Sequence, residues 1–189
     1  ALAAGGNFIN NSGAGAVSTT DAGATDRWII YSSAPASDTL GSLVSGNKAV
    51  WGETFTTQPP AGVAGGNRYV FSTPGGNITA TTTSSTKTYG TTADVSGNVA
   101  YSGLAVSSAA TYGNVFNDYT VGEVLSTLPT VNSAGTAGSA SVAGGPYAIT
   151  AGGGVAASGF SLSYANTRTL TVAKAHLTVT ADHPSRFYG

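Results

Sequence analysis

Cysteine is absent from the sequence, which excludes disulfides, thiolate zinc sites and cysteine nucleophiles together. Cysteine-free chains occur inside and outside cells, so the absence leaves the compartment open. Charge is scarce as well. Seven basic and eight acidic residues leave a net charge of −1, and charged residues make up 8% of the chain, against about 25% in an ordinary soluble domain. Without a basic run, the electrostatic attraction that drives nucleic-acid binding is missing, so nucleic acid is not an expected partner. No run approaches the roughly 20 apolar residues of a membrane span, and no membrane insertion is expected. The opening ALAAGGNFINNSG has neither the basic start nor the long apolar core of a secretion signal. Methionine is missing throughout the 189 residues, and the chain reads as a piece of a longer polypeptide.

What is present is β-branched, aromatic, small and hydroxylated. Hydrophobic residues at 41% suffice for a core, while Ser, Thr, Asn and Gly must wet the surface. The 27 glycines imply frequent tight turns. Short runs recur between Gly, Asn, Pro and Ser clusters: RWIIYSS, AVWGETFTT, RYVFS, NITATTT, PYAIT, FSLSY, RTLTV and LTVT. Their length and composition suit strands, so the chain is expected to be mostly β. In DYTVGEVLSTLP, Val121, Val124, Leu125 and Leu128 share a helical face. Thr120 and Glu123 have capping-box spacing and Pro129 closes the run, which predicts one short helix near 121–127. SDTLGSLVSG supports at most one helical turn.

The chain contains a partial repeat. ITATTTSSTKTYG at 78–90 aligns without a gap to LTVTADHPSRFYG at 177–189. Thr79, Thr81, Tyr89 and Gly90 match Thr178, Thr180, Tyr188 and Gly189, and Lys87 matches Arg186 in kind. Such a period is domain-sized, longer than a solenoid unit. It divides the chain into a β-rich segment over 1–76, a module over 78–176, and the first strand of a following repeat in 177–189. TVAKAH would form a tight joint between modules. Tyr89, Gly90, Tyr188 and Gly189 recur at one phase, which favours a structural task for them.

STKTYG, the closing GGPYAITAGGGVAASGFSLSYANTRTLTVAKAHLTVTA and the restart SRFYG resemble the Tyr-Gly type repeats, called MBG or YDG domains, of bacterial filamentous-haemagglutinin-like exoproteins. KTYG lacks the Asp of the YDG form, so the Tyr-Gly form is the nearer one. GGNFINNSGAGAVSTTDAGATDRWIIYSSAPASDTLGSLVSG is similar to the segment that joins a right-handed parallel β-helix to those repeats. The resemblance implies a β-helix end or adaptor followed by a β-sandwich or β-grasp-like module. It further implies a two-partner-secretion adhesin at the surface of, or secreted by, a Gram-negative bacterium, exported by an outer-membrane partner transporter. A structural stalk or adhesive role follows from it.

Catalytic, cofactor and metal signatures are missing, and no enzyme activity is expected. GGGVAA at 152–157 fits a dinucleotide fingerprint, but it leads into the strand-like SGFSLSY where the fingerprint needs a helix; a glycine-rich hairpin loop is the simpler expectation. His176 and His183 read as exposed linker residues. The alternative function is lectin-like. Trp28, Tyr31 and Trp51, with Phe55 nearby, could offer a platform to a host or cell-surface glycan, since a sugar needs an exposed ring beside polar groups. Core packing is the competing reading of the same rings. Asn10 and Asn77 begin N-x-[ST] triplets and are candidate glycosylation acceptors.

Overall fold

In the computed structural model the described residues are 1–19, 26–104, 119–183, 186, 188 and 189. The fold is mostly β, and among the described residues it has one short α-helix. Strands β1 (Leu2–Ala3), β2 (Ile29–Ser32), β3 (Val50–Trp51) and β4 (Arg68–Phe71) form a four-stranded sheet in the order β1-β2-β4-β3. Every pair in it is parallel, and Ile9 and Thr39 add an isolated parallel bridge beside it.

This sheet is buried on both faces. Ile30, Tyr69, Phe71 and Trp51 point into the main core. Ile29, Tyr31 and Val70 point the other way, where Val63 covers them. Burial on both faces is why RWIIYSS and RYVFS are continuous apolar runs with no polar alternation. Polar side chains tie successive passes of the chain together. Asp38 accepts from the Phe8 N–H at 2.8 Å and from the Ser32 hydroxyl; burial raises its pKa against the lowering effect of both bonds. Asn10, 4% exposed, donates its amide to the carbonyls of Gly13 and Leu40 at 2.8 and 2.9 Å. In the folded chain that nitrogen is engaged and covered. Asn77 remains exposed. The turn expected in SDTLGSLVSG is single, closed by Leu43 N–H on the Leu40 carbonyl at 3.0 Å.

From Gly76 onward the described strands form four small sheets, with parallel and antiparallel pairs. Strands β5 (Gly76–Thr82), β6 (Ser85–Thr88) and β7 (Val99–Ser102) precede helix α1 (Val121–Val124). Next come β8 (Leu125–Thr127), β9 (Thr130–Asn132) and β10 (Tyr147–Ala148). The remaining strands are β11 (Thr150–Gly152), β12 (Val155–Ala156), β13 (Phe160–Ala165) and β14 (Thr169–Ala173). The first and last passes lie side by side and parallel, β5 on β13 and β6 on β14. Strand β7 flanks β5 and β10 flanks β14, both antiparallel. Sandwiches of the immunoglobulin type pack purely antiparallel sheets, so this adjacent parallel pair is the feature that sets the module's topology.

Two local expectations shift. The helix ends at Val124, and Leu125 opens β8, which pairs with β12. A few residues of helix are marginal alone, so a ladder partner takes over the last turn of the expected run. The glycines of GGGVAA form a break inside one strand pass, where a hairpin loop was expected. Strands β11 and β12 face β9 and β8 on either side of it, opposite Pro129, which has no N–H for the ladder. A Cβ on Gly154 would lie 2.8 Å from the Pro129 ring.

The main core crosses the expected division between segment and module. The division at 76–78 falls at the start of β5, and one cluster joins Trp28, Ile30, Trp51, Tyr69 and Phe71 to Ile78, Tyr119, Val124 and Leu125. A second cluster, Val95, Val131, Ile149, Ala151 and Leu170, fills the far end of the module. The segment 177–189 carries no strand among its described residues, whereas 177–180 was expected to begin one. Ile78 is fully buried and its counterpart Leu177 is 87% exposed, because Leu177 has no neighbouring strand to supply a ladder or a covering face. Pro184, Ser185 and Phe187 of the expected restart lie outside the described residues.

Candidate functional site

The densest polar and aromatic contacts gather where the parallel sheet meets the module. Gly52 and Gly159 have φ of 68° and 82°, in the left-handed region that favours glycine. Their backbones touch: a Cβ on Gly52 would lie 2.9 Å from the Gly159 Cα. The Gly75 N–H donates to the Gly159 carbonyl at 2.7 Å and the Gly52 N–H to the Thr73 carbonyl at 2.9 Å. That close approach seats Trp51 against the module. Its indole Nε1–H donates to the Tyr119 hydroxyl at 2.9 Å, and that hydroxyl donates to the Ala49 carbonyl at 3.1 Å. Tyr119 meets Phe160 edge to face at 5.2 Å.

An ionic clasp closes the outer side of this contact. The Lys48 ammonium lies 2.7 Å from both carboxylate oxygens of Glu123 and 5.0 Å above the Tyr119 ring. Arg68 donates to the Lys48 carbonyl at 2.7 Å. Glu123 also reaches back to the Thr120 N–H and hydroxyl at 2.7 and 2.8 Å, which is the carboxylate half of the capping box read from the sequence. Lys48 first, then the Thr120 N–H and hydroxyl, hold the Glu123 carboxyl down to about 2. Desolvation raises the Tyr119 phenol despite the Trp51 bond. Between these groups lies an open cleft of about 540 Å³.

Chemically, this arrangement holds surfaces together. A phenol whose pKa is raised by burial and engaged as both donor and acceptor is a poor base, and the lysine is committed to a carboxylate. Both histidines are exposed and far along the chain in the terminal segment. Among the described residues no group of three His, Cys, Asp or Glu side chains could hold a metal ion. The clasp has a pH signature. Glu123 titrates near 2 in the fold against an ordinary 4.5, so its contribution is complete above 4.5 and lost as pH falls through 2. Both partners are partly exposed, so the loss is under about 1 kcal/mol. Acid unfolding of Glu123→Gln beside the parent is expected to show a shallower pH dependence across that window.

The ring candidates from the sequence are core residues. Trp28 is buried edge-on against Tyr69 at 5.1 Å, and Trp51 is buried over Phe71 at 5.1 Å. Tyr31 is buried with its hydroxyl on the Gln58 carbonyl at 2.7 Å. Stacking on a sugar needs an open ring face, which neither tryptophan has, so burial corrects the platform reading of Trp28, Tyr31 and Trp51. The nearby Phe55 is half-exposed.

Tyr89 and Gly90 follow β6, where Gly90 turns the chain with φ 91° and its N–H meets the Gly138 carbonyl at 3.1 Å. Tyr89 itself is exposed, and Tyr188 and Gly189 are exposed with no strand around them. The buried member of the signature is the lysine two residues before Tyr89. Lys87, 7% exposed, donates to the Thr91 carbonyl at 2.8 Å and to the Ala137 carbonyl, pinning the turn after β6 to the loop after β9. Lys87 stands opposite Arg186 in the repeat, and a cation kept inside a charge-poor strand is the sequence signal for this buried contact. Lys87→Met strips both carbonyls of their donor and is expected to cost about 1–3 kcal/mol, measured by chemical denaturation. Lys48, Arg68 and Tyr119 had no sequence signal, since their partners come from distant passes.

Searches against family models, curated proteins and solved structures found no match to this chain.

Proposed function

We propose that the chain is a structural stalk or adhesive segment of a large exoprotein, carried at the surface of a Gram-negative bacterium or released from it. Export of the full-length protein would use an outer-membrane partner transporter. The observation that carries this reading is the seam itself: a two-faced parallel sheet shares one core with the small sheets that follow it, fastened by the Gly52–Gly159 contact and the Trp51–Tyr119 and Lys48–Glu123 bonds. Such a seam transmits orientation and load from one unit to the next. Apart from the Lys48–Glu123 pair, it is held by apolar packing and hydrogen bonds, which a charge-poor chain can supply. A lectin role through Trp28 or Trp51 lacks an exposed ring.

The test uses the producing bacterium. Antibody raised against this chain is expected to label intact cells or the culture medium, and deleting the partner transporter is expected to abolish that signal. Labelling confined to the cytoplasm would overturn the proposal. Load-bearing is tested by pulling the chain from its ends. One unfolding event spanning both sides of Gly76 is expected; separate low-force opening of the first 75 residues would count against a continuous stalk.

A further inference from the structure

A second groove lies at the C-terminal ends of the parallel strands β1–β4, next to the seam. It has a volume of about 380 Å³ and is lined by Tyr31, Ser33, Glu53, Phe55, Thr56 and Ser72 among others. Phe55 is 47% exposed and is fixed from beneath by the Tyr31 ring, edge to face at 5.3 Å. The turn that carries it is closed by Thr54 and Thr57: the Thr54 N–H donates to the Thr57 hydroxyl at 2.8 Å, and the Thr57 N–H to the Thr54 hydroxyl at 3.2 Å. The half-exposed ring is thus seated on the fold by one aromatic contact and a hydrogen-bonded turn.

Beside the ring stands Glu53, whose carboxylate accepts from the Ser158 hydroxyl at 2.7 Å. Hydroxyl bonds from Ser158 and Thr57 lower its pKa, so it is charged at neutral pH. Lys48–Glu123 is the one ion pair among the described residues, and the groove lining contains no cation. Glu53 is therefore an oriented negative acceptor without a neutralising partner. The Thr56 hydroxyl, on the same turn, has no protein partner among the described residues.

From this juxtaposition we infer that the Phe55–Glu53 groove binds a neutral hexopyranose. The C–H face of a pyranose packs on the open Phe55 ring. Two of its hydroxyls donate to Glu53, and Thr56 supplies a further donor or acceptor. The unpaired carboxylate sets the class of sugar: sialic acids, uronates and sulfated sugars place like charge against Glu53. This inference is independent of the stalk reading and would hold for a soluble fragment.

The experiment is an NMR titration of the chain with methyl glucoside, methyl galactoside and methyl mannoside, beside N-acetylneuraminic acid and galactose 6-sulfate. At least one neutral glycoside is expected to saturate in the millimolar range, with shifts centred on residues 53–56, 31–33 and 72, and the anionic sugars are expected not to bind there. Phe55→Ala and Glu53→Gln should each weaken binding about tenfold, one aromatic contact or one charged hydrogen bond, with the far-ultraviolet circular dichroism of the parent. Phe55→Tyr should retain it. Absence of neutral-sugar binding, preference for an anionic sugar, shifts mapping elsewhere, or unaltered affinity in both variants would overturn the assignment. Should Phe55→Ala fail to fold, Glu53→Gln and the shift map decide.

Discussion

Trp51→Ala is expected to lower the unfolding free energy by about 3–5 kcal/mol and to do so for the whole chain at once. The indole is buried against Phe71, gives its N–H to Tyr119, and stands beside Gly75 and Gly159. Truncation removes that volume from the shared cluster and leaves the Tyr119 hydroxyl without its donor. Trp51→Phe separates the two effects, keeping much of the volume while losing the N–H, and should cost about 1–3 kcal/mol. Denaturant unfolding followed by far-ultraviolet circular dichroism and by tryptophan emission, from Trp28 and Trp51 in the parent and from Trp28 alone in the variants, should give coincident curves in each protein. Trp28 reports on the parallel sheet and the far-ultraviolet signal on all strands, so divergent midpoints would show that the two parts unfold separately.

Gly159→Ala is expected to be comparably severe for a different reason. With φ at 82°, a side chain there stores backbone strain of about 1–3 kcal/mol. The new Cβ would also run into the Trp51 carbonyl, backbone that cannot turn aside, and such overpacking adds about 1–3 kcal/mol. Gly46→Ala provides the comparison, since Gly46 has φ 68° with nothing near its Cβ position. The excess loss in Gly159→Ala over Gly46→Ala, read from denaturation midpoints, measures the closeness of sheet to module. Equal losses would mean that the seam can spread without penalty.

Much of the local structure was legible because it depends on neighbours in sequence. The strand runs RWIIYSS, RYVFS and FSLSY lie over β2, β4 and β13, and Thr120 with Glu123 marked the start of α1. The end of that helix was not legible, because Leu125–Thr127 follow their ladder with β12. Aromatic residues were visible as a class, but not their exposure. Trp28 and Trp51 went to the core while Phe55, a few positions from Trp51, stayed at the surface. Only the neighbouring strands decide which ring is covered.

Composition determined that backbone pairing and apolar packing, with few ion pairs, would hold this chain: with 8% of residues charged and no cysteine, little else was available. Periodicity and turn residues determined where strands could form. Tertiary structure alone decided that β5 and β13 run parallel, that Lys48 meets Glu123, and that a single core spans Gly76. Those contacts join residues far apart in the chain, and their energy arises only when the passes are laid side by side, so no local pattern records them.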